Sequence, residues 1–226
     1  MELNNFKVDF IVNEKVPAIF PSYENCCPNL IGYDYSLVPL DLEKHITDLY
    51  NSTHSNKEVE KLVWTYYNNG PFENQEEMTK TYKALLSNEN YIVFCAIENK
   101  TNKPIGIMTY MRINPLNLVI EIGHIWFIPE YQGKGANPQL CYLLIKNAIE
   151  NLGFRRIEWK CDNLNERSKI SALKLGFTFE GVFRQDVIIK GRNRDTAWFS
   201  IIKSEWPAVK EKLEIKMSLY RKNKDI

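Results

Sequence analysis

A glycine-bearing turn between a strand-like stretch and a helix-like stretch is the feature that most constrains this chain. The turn reads Gln132-Gly133-Lys134-Gly135-Ala136-Asn137-Pro138, with an apolar stretch from Val119 to Ile128 before it and a helical pattern from Gln139 to Asn151 after it. Glycine permits positive φ and close approach of a ligand to the backbone, and proline suits the first turn of a helix. A helix start of this kind presents backbone N–H groups to an anion such as phosphate.

Alone, this turn is a weak signal for a binding site. Its glycine spacing fits neither a P-loop nor the Gly-x-Gly-x-x-Gly pattern of a dinucleotide-binding fold. An ordinary tight connection between a strand and a helix explains the seven residues by themselves. Their meaning therefore depends on the chain around them.

Hydrophobic periodicity predicts one α/β domain with a mixed sheet of about seven strands. Strands are expected at residues 34–40, 91–97, 104–112, 118–127, 156–161, 178–189 and 196–203. Short turns between most of them predict antiparallel neighbours. The strand–helix–strand segment across the glycine turn instead predicts a parallel crossover.

Helices are predicted from three- and four-residue apolar spacing and from their end signals. They are expected from about residue 44, at 58–66, after Asn74, at 139–151, at 166–175 and at 206–220. The helix after Asn74 should bury a stripe of Met78, Tyr82, Leu85 and Leu86. Asp41 and Asn74 are predicted N-caps. Gly153 and Gly176 are predicted helix ends.

The predicted domain covers residues 33–220. Residues 1–32 contain a weakly alternating stretch, Lys7 to Val12, followed by three prolines, so we expect an arm that packs on the domain. Residues 221–226 are expected to form a frayed basic tail. No linker divides the chain.

Charge and cysteine usage exclude several classes of partner. The chain of 226 residues has 29 basic and 28 acidic side chains, so we expect neither a nucleic acid nor a membrane as partner. The first residues lack the basic start and long apolar segment of a signal peptide, and no apolar run approaches ~20 residues, so we expect neither a signal peptide nor a membrane span. The five cysteines show no Cys-x-x-Cys spacing, which predicts reduced thiols in a cytoplasmic protein without a metal. A redox or metal role for Cys26 and Cys27 is the alternative.

The stretch from Ile122 to Gly135 resembles motif A of the GNAT superfamily of N-acetyltransferases. In that family a (Gln/Arg)-x-x-Gly-x-(Gly/Ala) segment binds the pyrophosphate of coenzyme A through backbone amides. Here it falls on Gln132, Gly135 and Asn137. Asn137 departs from the family's small residue, but asparagine tolerates the backbone angles that such a loop needs.

Two downstream segments, Asn165-Glu166-Arg167-Ser168 and Lys174-Leu175-Gly176-Phe177, resemble motif B of the same superfamily. Residues 120–207 are similar to the RimJ/RimL branch, which includes ribosomal-protein acetylases. Residues 179–184 and 191–200 are similar to an uncharacterised subgroup of that branch. The resemblance covers roughly residues 33–215. It implies a single GNAT-like α/β (α+β) domain with a mostly antiparallel sheet, flanking helices and a splayed parallel pair of strands at the cofactor site.

The resemblance implies acetyl-CoA as the acetyl donor. Backbone groups of Trp126, Phe127 and Ile128 would pair with the pantetheine as a further strand would, and one N–H would stabilise the developing oxyanion. The coenzyme would also contact Gln132, Gly133, Lys134, Gly135, Ala136, Asn137, Asn165 and Ser168.

Glu121 is the first candidate for the base that deprotonates the amine, since an amine of pKa ~10.4 needs one near neutral pH. Strict alternation places Glu121, Gly123, Ile125 and Phe127 on one face of the strand unless a bulge intervenes. Burial there would raise the pKa of Glu121. A structural ion pair with Arg112 is the alternative for Glu121, and His124 is the rival base.

The leaving thiolate needs a proton donor. Many family members use a tyrosine seven residues after the motif B asparagine, but that position is Ala172. The RimL-like branch suggests Ser168 instead. Ser168 as an anchor for the cofactor sulfur or as a helix cap is the alternative.

The sequence thus predicts an acyltransferase that moves an acetyl group directly to an amine in a ternary complex. The acceptor would be a small molecule, an amino-acid-like compound or a protein N-terminus, and the protein a monomer or homodimer. The alternative is a non-catalytic module of the same fold that binds acyl-CoA, for which Glu121 and Ser168 would be dispensable.

Overall fold

A computed structural model describes residues 28–222 of the chain, with side chains to Tyr220. The expected strand from Lys7 to Val12, most of the predicted arm, Cys26 and Cys27, and the last residues of the tail lie outside the described residues. The domain limits at 33 and 220 remain predictions.

Seven strands and six helices follow one another along the described chain. The strands are β1 Tyr35–Pro39, β2 Tyr91–Glu98, β3 Lys103–Asn114, β4 Val119–Phe127, β5 Arg156–Asp162, β6 Thr178–Ile189 and β7 Arg192–Ile202. The helices are α1 Leu42–Thr53, α2 Lys57–Trp64, α3 Gln75–Leu86, α4 Ala136–Lys146, α5 Glu166–Leu175 and α6 Trp206–Lys222. A 3₁₀ turn, Pro129–Tyr131, precedes α4, and a π-helical turn, Asn147–Asn151, follows it.

The strands form one mixed sheet in the order β1-β2-β3-β4-β5-β7-β6. All neighbours are antiparallel except β4 and β5. The predicted fold class and the predicted parallel pair are therefore confirmed. Helix α4 makes the crossover between the two parallel strands, because a parallel connection must carry the chain back along the sheet.

Helices cover both faces of the sheet. On one face the Tyr110 hydroxyl donates to the carbonyl of Leu144 in α4 at 2.5 Å. On the other face the indole N–H of Trp126 donates to the Tyr82 hydroxyl of α3 at 2.8 Å. Both tyrosines are buried, so each polar tip has the partner that burial demands. Within residues 28–222, every helix is too short or too polar to cross a lipid bilayer.

The predicted end signals are confirmed where they concern caps and glycines. Asp41 accepts hydrogen bonds from the N–H groups of Glu43 and Lys44 at the start of α1. Asn74 caps α3 through the N–H of Glu77. Gly176 ends α5 with φ of +93°, a conformation that glycine adopts without steric cost.

Several boundaries differ from those predicted. Helix α4 begins at Ala136 rather than Gln139, because Pro138 fits inside its first turn. Strand β7 begins at Arg192 rather than at residue 196. The turn is Lys190-Gly191, where both residues have positive φ, as a two-residue type I′ hairpin turn requires. Leu86 is 41% exposed rather than part of the α3 stripe.

A β-bulge in β4 interrupts its alternation. Ile107 faces Trp126 and Thr109 faces Gly123, so three steps along β4 match two steps along β3. His124, in the bulge, has φ of +47°. Opposite residues share a face. Trp126 therefore lies on the face of Glu121 and Gly123, and Phe127 on the face of Ile122, which inverts the faces expected for these two residues from strict alternation.

Candidate active site

A gap opens between the two parallel strands. Strands β4 and β5 pair only at Val119 with Arg156, Ile120 with Ile157 and Glu121 with Glu158. Beyond these three pairs β5 stays paired with β7 as far as Asp162, and β4 stays paired with β3 as far as Phe127. The inner edge of β4 after Glu121 therefore has no strand partner within the described residues. An unpaired strand edge offers N–H and C=O groups to an extended ligand.

Backbone directions decide which groups of β4 face this gap. The N–H of Ile128 donates to the carbonyl of Ile105, at 2.9 Å, on the side of β3. Successive residues of a strand point their N–H and C=O groups to opposite sides, so the groups of Phe127 point toward the gap. The Phe127 carbonyl accepts from Gln132 Nε2 at 3.0 Å. Of the three backbone positions expected from the resemblance, Phe127 is therefore the one that faces the gap, and its N–H is the donor there.

The glycine turn lies at the end of the same strand. Gly133 has φ of +76°, and a Cβ placed on it would meet no protein atom within 4 Å. Gly135 has φ of +87° and is the N-cap of α4. The first N–H groups of a helix have no partner inside it. Those of Ala136 and Asn137 are consequently available to an anion, while Pro138 has none to offer.

Two side chains of the turn serve its structure. Gln132 joins the end of β4 to α5, because its Oε1 accepts from Arg167 Nη2 at 2.6 Å while its Nε2 bonds Phe127. Asn137 Nδ2 donates to Ser171 Oγ of α5 at 2.7 Å, and its Oδ1 accepts from the Cys141 thiol at 3.3 Å. The larger residue at position 137 thus ties α4 to α5.

Asn165 and Ser168 lie at the start of α5, across the gap from β4. The Asn165 Oδ1 caps the helix by accepting from the N–H of Ser168 at 3.1 Å. The NH₂ group of this carboxamide is left to donate to a ligand. Ser168 Oγ accepts the indole N–H of Trp159 at 3.0 Å. Because its oxygen accepts from the indole, the Ser168 hydroxyl keeps its own proton for donation.

Glu121 is buried at the last pair of the parallel ladder, with 4% of its surface exposed. Its Oε2 lies 2.9 Å from Lys160 Nζ and 3.6 Å from Arg112 Nε. Burial raises the pKa of Glu121 above its usual value, and the Lys160 ammonium opposes part of that rise. The structure thus gives Glu121 both features considered from the sequence: a raised pKa and ionic partners, of which Lys160 is closer than Arg112.

Lys160 was not among the residues singled out from the sequence. Its ammonium lies 2.9 Å from Oε2 of Glu158 and 3.7 Å from the centre of the Trp198 ring, and its side chain is 7% exposed. Two carboxylates and an indole face offset the cost of burying this charge. Strict alternation in β5, with Glu158 and Lys160 between Ile157, Trp159 and Cys161, was the signal that would have placed it beside Glu121.

His124 lies in an aromatic environment on the other side of the bulge. Its ring centre is 6.3 Å from that of Tyr67 and 5.9 Å from that of Tyr91. Burial lowers the pKa of His124, which keeps the imidazole neutral near pH 7. The ring lines a small recess together with Trp64, Tyr67, Phe72, Tyr82 and Leu85.

Two long-range hydrogen bonds join the end of α2, which contributes Trp64 to that recess, to later parts of the chain. Lys190 Nζ, at the tip of the β6–β7 hairpin, donates to the carbonyl of Trp64 at 3.0 Å. The Tyr66 hydroxyl donates to the carbonyl of Leu164, just before α5, at 3.1 Å. Residues at the end of α2 therefore meet both the last hairpin and the β5–α5 loop.

Known proteins are similar to this chain in sequence. The sequence profile of the Acetyltransferase (GNAT) domain matches residues 36–178. The "Putative ribosomal N-acetyltransferase YdaF" of Bacillus subtilis is 30% identical over 105 residues, which are 46% of this chain and 57% of that protein. The ribosomal-protein-serine acetyltransferase of Escherichia coli is 31% identical over 147 residues, 63% of this chain and 79% of that protein. The chain thus spans little more than half of the first relative and over three quarters of the second.

A solved structure agrees in fold as well as in sequence. A GCN5-related N-acetyltransferase from Brucella melitensis superposes with a TM-score of 0.81 at 34% identity, covering 87% of this chain and 88% of that one. The matched family profile contains the gap, the glycine turn and the start of α5. The chain belongs to the GNAT acetyltransferase family.

Proposed function

We propose that the protein is an acetyl-CoA-dependent N-acetyltransferase that transfers the acetyl group directly to an amine. The observation that carries the proposal is the meeting of two features: the open edge of β4 ends at the glycine turn that begins α4. A long ligand with an amide-bearing arm and a phosphate group needs both. Acetyl-CoA has this form, and when bound it supplies an acetyl group activated as a thioester.

The residues present fit such a ligand. The space in front of Gly133 is open, and both glycines hold positive φ, so N–H groups can converge without a side chain in the way. The N–H groups of Gly133, Gly135, Ala136 and Asn137 would hold the pyrophosphate, with Lys134 adding charge. The Phe127 N–H would bind along the gap, and the Asn165 NH₂ group would reach it from α5.

Glu121 and Ser168 would move the protons. Glu121 lies on the face covered by α1–α3, where burial raises its pKa toward the range useful for a base. Ser168 lies at α5, across the gap, with its hydroxyl proton available to a departing thiolate. The two groups are therefore on different elements that flank the gap, as a base for one substrate and a donor for the other require.

Direct transfer is favoured over an acetyl-enzyme. The three cysteines within the described residues, Cys95, Cys141 and Cys161, are all buried. Burial raises the pKa of each thiol, which suppresses the thiolate that a nucleophile needs.

The acceptor would enter on the face of Glu121. The aromatic recess includes Trp64 at the end of α2, and the carbonyl of Trp64 accepts a hydrogen bond from Lys190 of the last hairpin. The relatives are named for ribosomal-protein acceptors, which supports a protein N-terminus as a candidate beside small amines. An α-amino group of pKa ~8 needs less help from a base than a lysine-like amine. The cytoplasmic location, the oligomeric state and the absence of a nucleic-acid partner remain predictions.

An amine panel tests the proposal. Thiol release from acetyl-CoA is followed with polyamines, amino-acid amides and short peptides with free N-termini, for wild type, Glu121→Gln and the exposed control Glu130→Gln. We expect turnover with at least one amine, lost in Glu121→Gln and kept in Glu130→Gln. Coenzyme binding without turnover on any amine would instead indicate the non-catalytic acyl-CoA-binding module. No binding of coenzyme A by the wild type would contradict both.

A further inference from the structure

The last turn of α6 lies against the glycine turn. The Tyr220 hydroxyl donates to the carbonyl oxygen of Lys134. A Cβ placed on Gly135 would lie 2.8 Å from Cζ of Tyr220 and 3.0 Å from its hydroxyl oxygen. Tyr220 therefore occupies the back of the turn so closely that only glycine fits at position 135.

Helix α6 is held in this position along its length. Trp206 Nε1 and Lys210 Nζ both donate to Glu150 Oε1 at 2.8 Å, beyond the far end of α4. In its middle, Glu214 accepts from the hydroxyl of Tyr142 in α4. Helix α6 thus runs antiparallel to α4 and brings its end to the start of α4.

The hydrogen bond from Tyr220 to the Lys134 carbonyl also fixes the direction of the Gly135 N–H, on the opposite side of the turn. The carbonyl of Lys134 and the N–H of Gly135 belong to one planar trans peptide, in which the two groups point in opposite directions. A hydroxyl that holds the carbonyl on one side therefore holds the Gly135 N–H on the other. The space beside Gly133, where no protein atom would meet a Cβ, is open.

We propose that Tyr220 is a positioning residue of the coenzyme site: through the Lys134 carbonyl it orients the Gly135 N–H toward the pyrophosphate. The inference rests on the proposed function, since it needs a phosphate ligand at this turn. It also extends the site beyond the family profile, which ends at residue 178. Without the hydroxyl, the peptide between Lys134 and Gly135 turns more freely, because glycine restrains its own N–Cα bond little. Ordering this peptide on binding then costs affinity.

Calorimetric titration with coenzyme A tests the proposal. We expect Tyr220→Phe, which keeps the ring and loses one hydrogen bond, to raise the Kd about 3- to 10-fold. Tyr220→Ala should raise it further. Leu219→Ala is the matched control, because Leu219 lies on the same turn of α6 and is 56% exposed. It should bind like wild type.

Steady-state kinetics separate positioning from a general loss of structure. For Tyr220→Phe we expect the KM for acetyl-CoA to rise while kcat and the thermal midpoint of the ligand-free protein stay near wild type. A wild-type Kd in Tyr220→Phe would overturn the inference and leave the proposed function intact. Failure of the wild type itself to bind coenzyme A would overturn both.

Discussion

The Glu121 carboxylate and the Lys160 ammonium lie 2.9 Å apart, on the two strands that separate directly after Glu121. The lysine favours the charged carboxylate, whereas burial favours the neutral acid, and burial is the larger influence on the pKa of Glu121. A carboxylate in this balance can take up a proton at a pH where a solvent-exposed glutamate cannot. The pair is therefore the first place to test the chemistry.

Replacing Glu121 by glutamine should lower kcat about 10²-fold or more, the usual contribution of a general base. Below the pKa of Glu121 the wild-type base is protonated, so kcat should rise with pH through that pKa. Because burial raises the pKa above 4.5, the midpoint of this limb should lie above 4.5. The pH profile of kcat for wild type and Glu121→Gln, each at saturating substrates, measures both. An unchanged profile in the variant would assign the limb to another group.

Gly133→Ala should leave the protein folded but weaken coenzyme A binding more than 10-fold. The new methyl meets no protein atom, so it fills the space in front of the turn that the ligand would occupy. The positive φ at position 133 costs an alanine about 1–2 kcal/mol. Gly153→Ala is the matched control. Gly153 has nearly the same φ as Gly133, +77°, and equally empty surroundings, but it lies after the end of the α4 segment, away from the glycine turn. Equal losses of affinity in the two variants would attribute the effect to backbone strain alone.

Ser168→Ala should lower the free energy of unfolding by about 1–3 kcal/mol, because it leaves the buried indole N–H of Trp159 without its acceptor. Ser168→Thr keeps the hydroxyl and should recover most of this loss. Urea denaturation of the three proteins gives the values.

If Ser168 donates the proton to the leaving thiolate, kcat will fall in Ser168→Ala at constant Kd for coenzyme A. A changed Kd with constant kcat would support the anchoring role.

Glu180→Gln should destabilise the protein at neutral pH and not in acid. The Arg156 guanidinium, bonded to both oxygens of Glu180 at 2.7 and 2.6 Å, lowers the pKa of Glu180 from 4.5 to about 2. The stabilisation is thus complete above pH 4.5 and is lost as pH falls through about 2. The carboxylate is 38% exposed, so we expect only about 1 kcal/mol at pH 7.

Chemical denaturation at pH 7 and near pH 2 measures this dependence. Glu166→Gln is the control, because Glu166 forms an exposed ion pair with Lys169 one turn along α5. It should change little at either pH. A Glu180→Gln difference of the same size at both pH values would show that the ion pair is not its source.

Local signals predicted most of the fold. Asp41 and Asn74 cap their helices through neighbours two or three residues away, and Gly176 stops α5 by its own backbone freedom. These effects are contained within a few residues, so a single sequence displays them. The antiparallel hairpin pairs and the one parallel crossover followed from turn lengths for the same reason, whereas the place of β7 between β5 and β6 was not predicted.

The bulge at His124 could not be predicted in this way. An extra residue in β4 is defined by its register against β3, and nothing in Gly123-His124-Ile125 marks it. It exchanges the faces of Trp126 and Phe127, so an expectation for the end of β4 from strict alternation was wrong although the strand itself was placed correctly.

The site was only partly visible in the sequence for a related reason. The glycine turn and the start of α5 are contiguous segments, whereas Lys160 meets Glu121 across 39 residues and Tyr220 meets Lys134 across 86. Contacts of this kind depend on the packing of whole elements. Asn137 shows the same limit, since its bond to Ser171 gives a structural reason for a residue that looked like a departure from the family pattern.

The three-pair ladder between β4 and β5 has a mechanical consequence. It divides the sheet into a leaf of β1–β4 and a leaf of β5, β7 and β6, joined by hydrogen bonds at one end only. A ligand in the open end would form hydrogen bonds with β4 and with the start of α5, which follows β5. It would therefore link the two parts of the sheet at the end where they are not hydrogen-bonded to each other. Amide hydrogen exchange in β5 should then slow when the ligand binds, although the ligand's main-chain contacts are with β4 in the other part of the sheet.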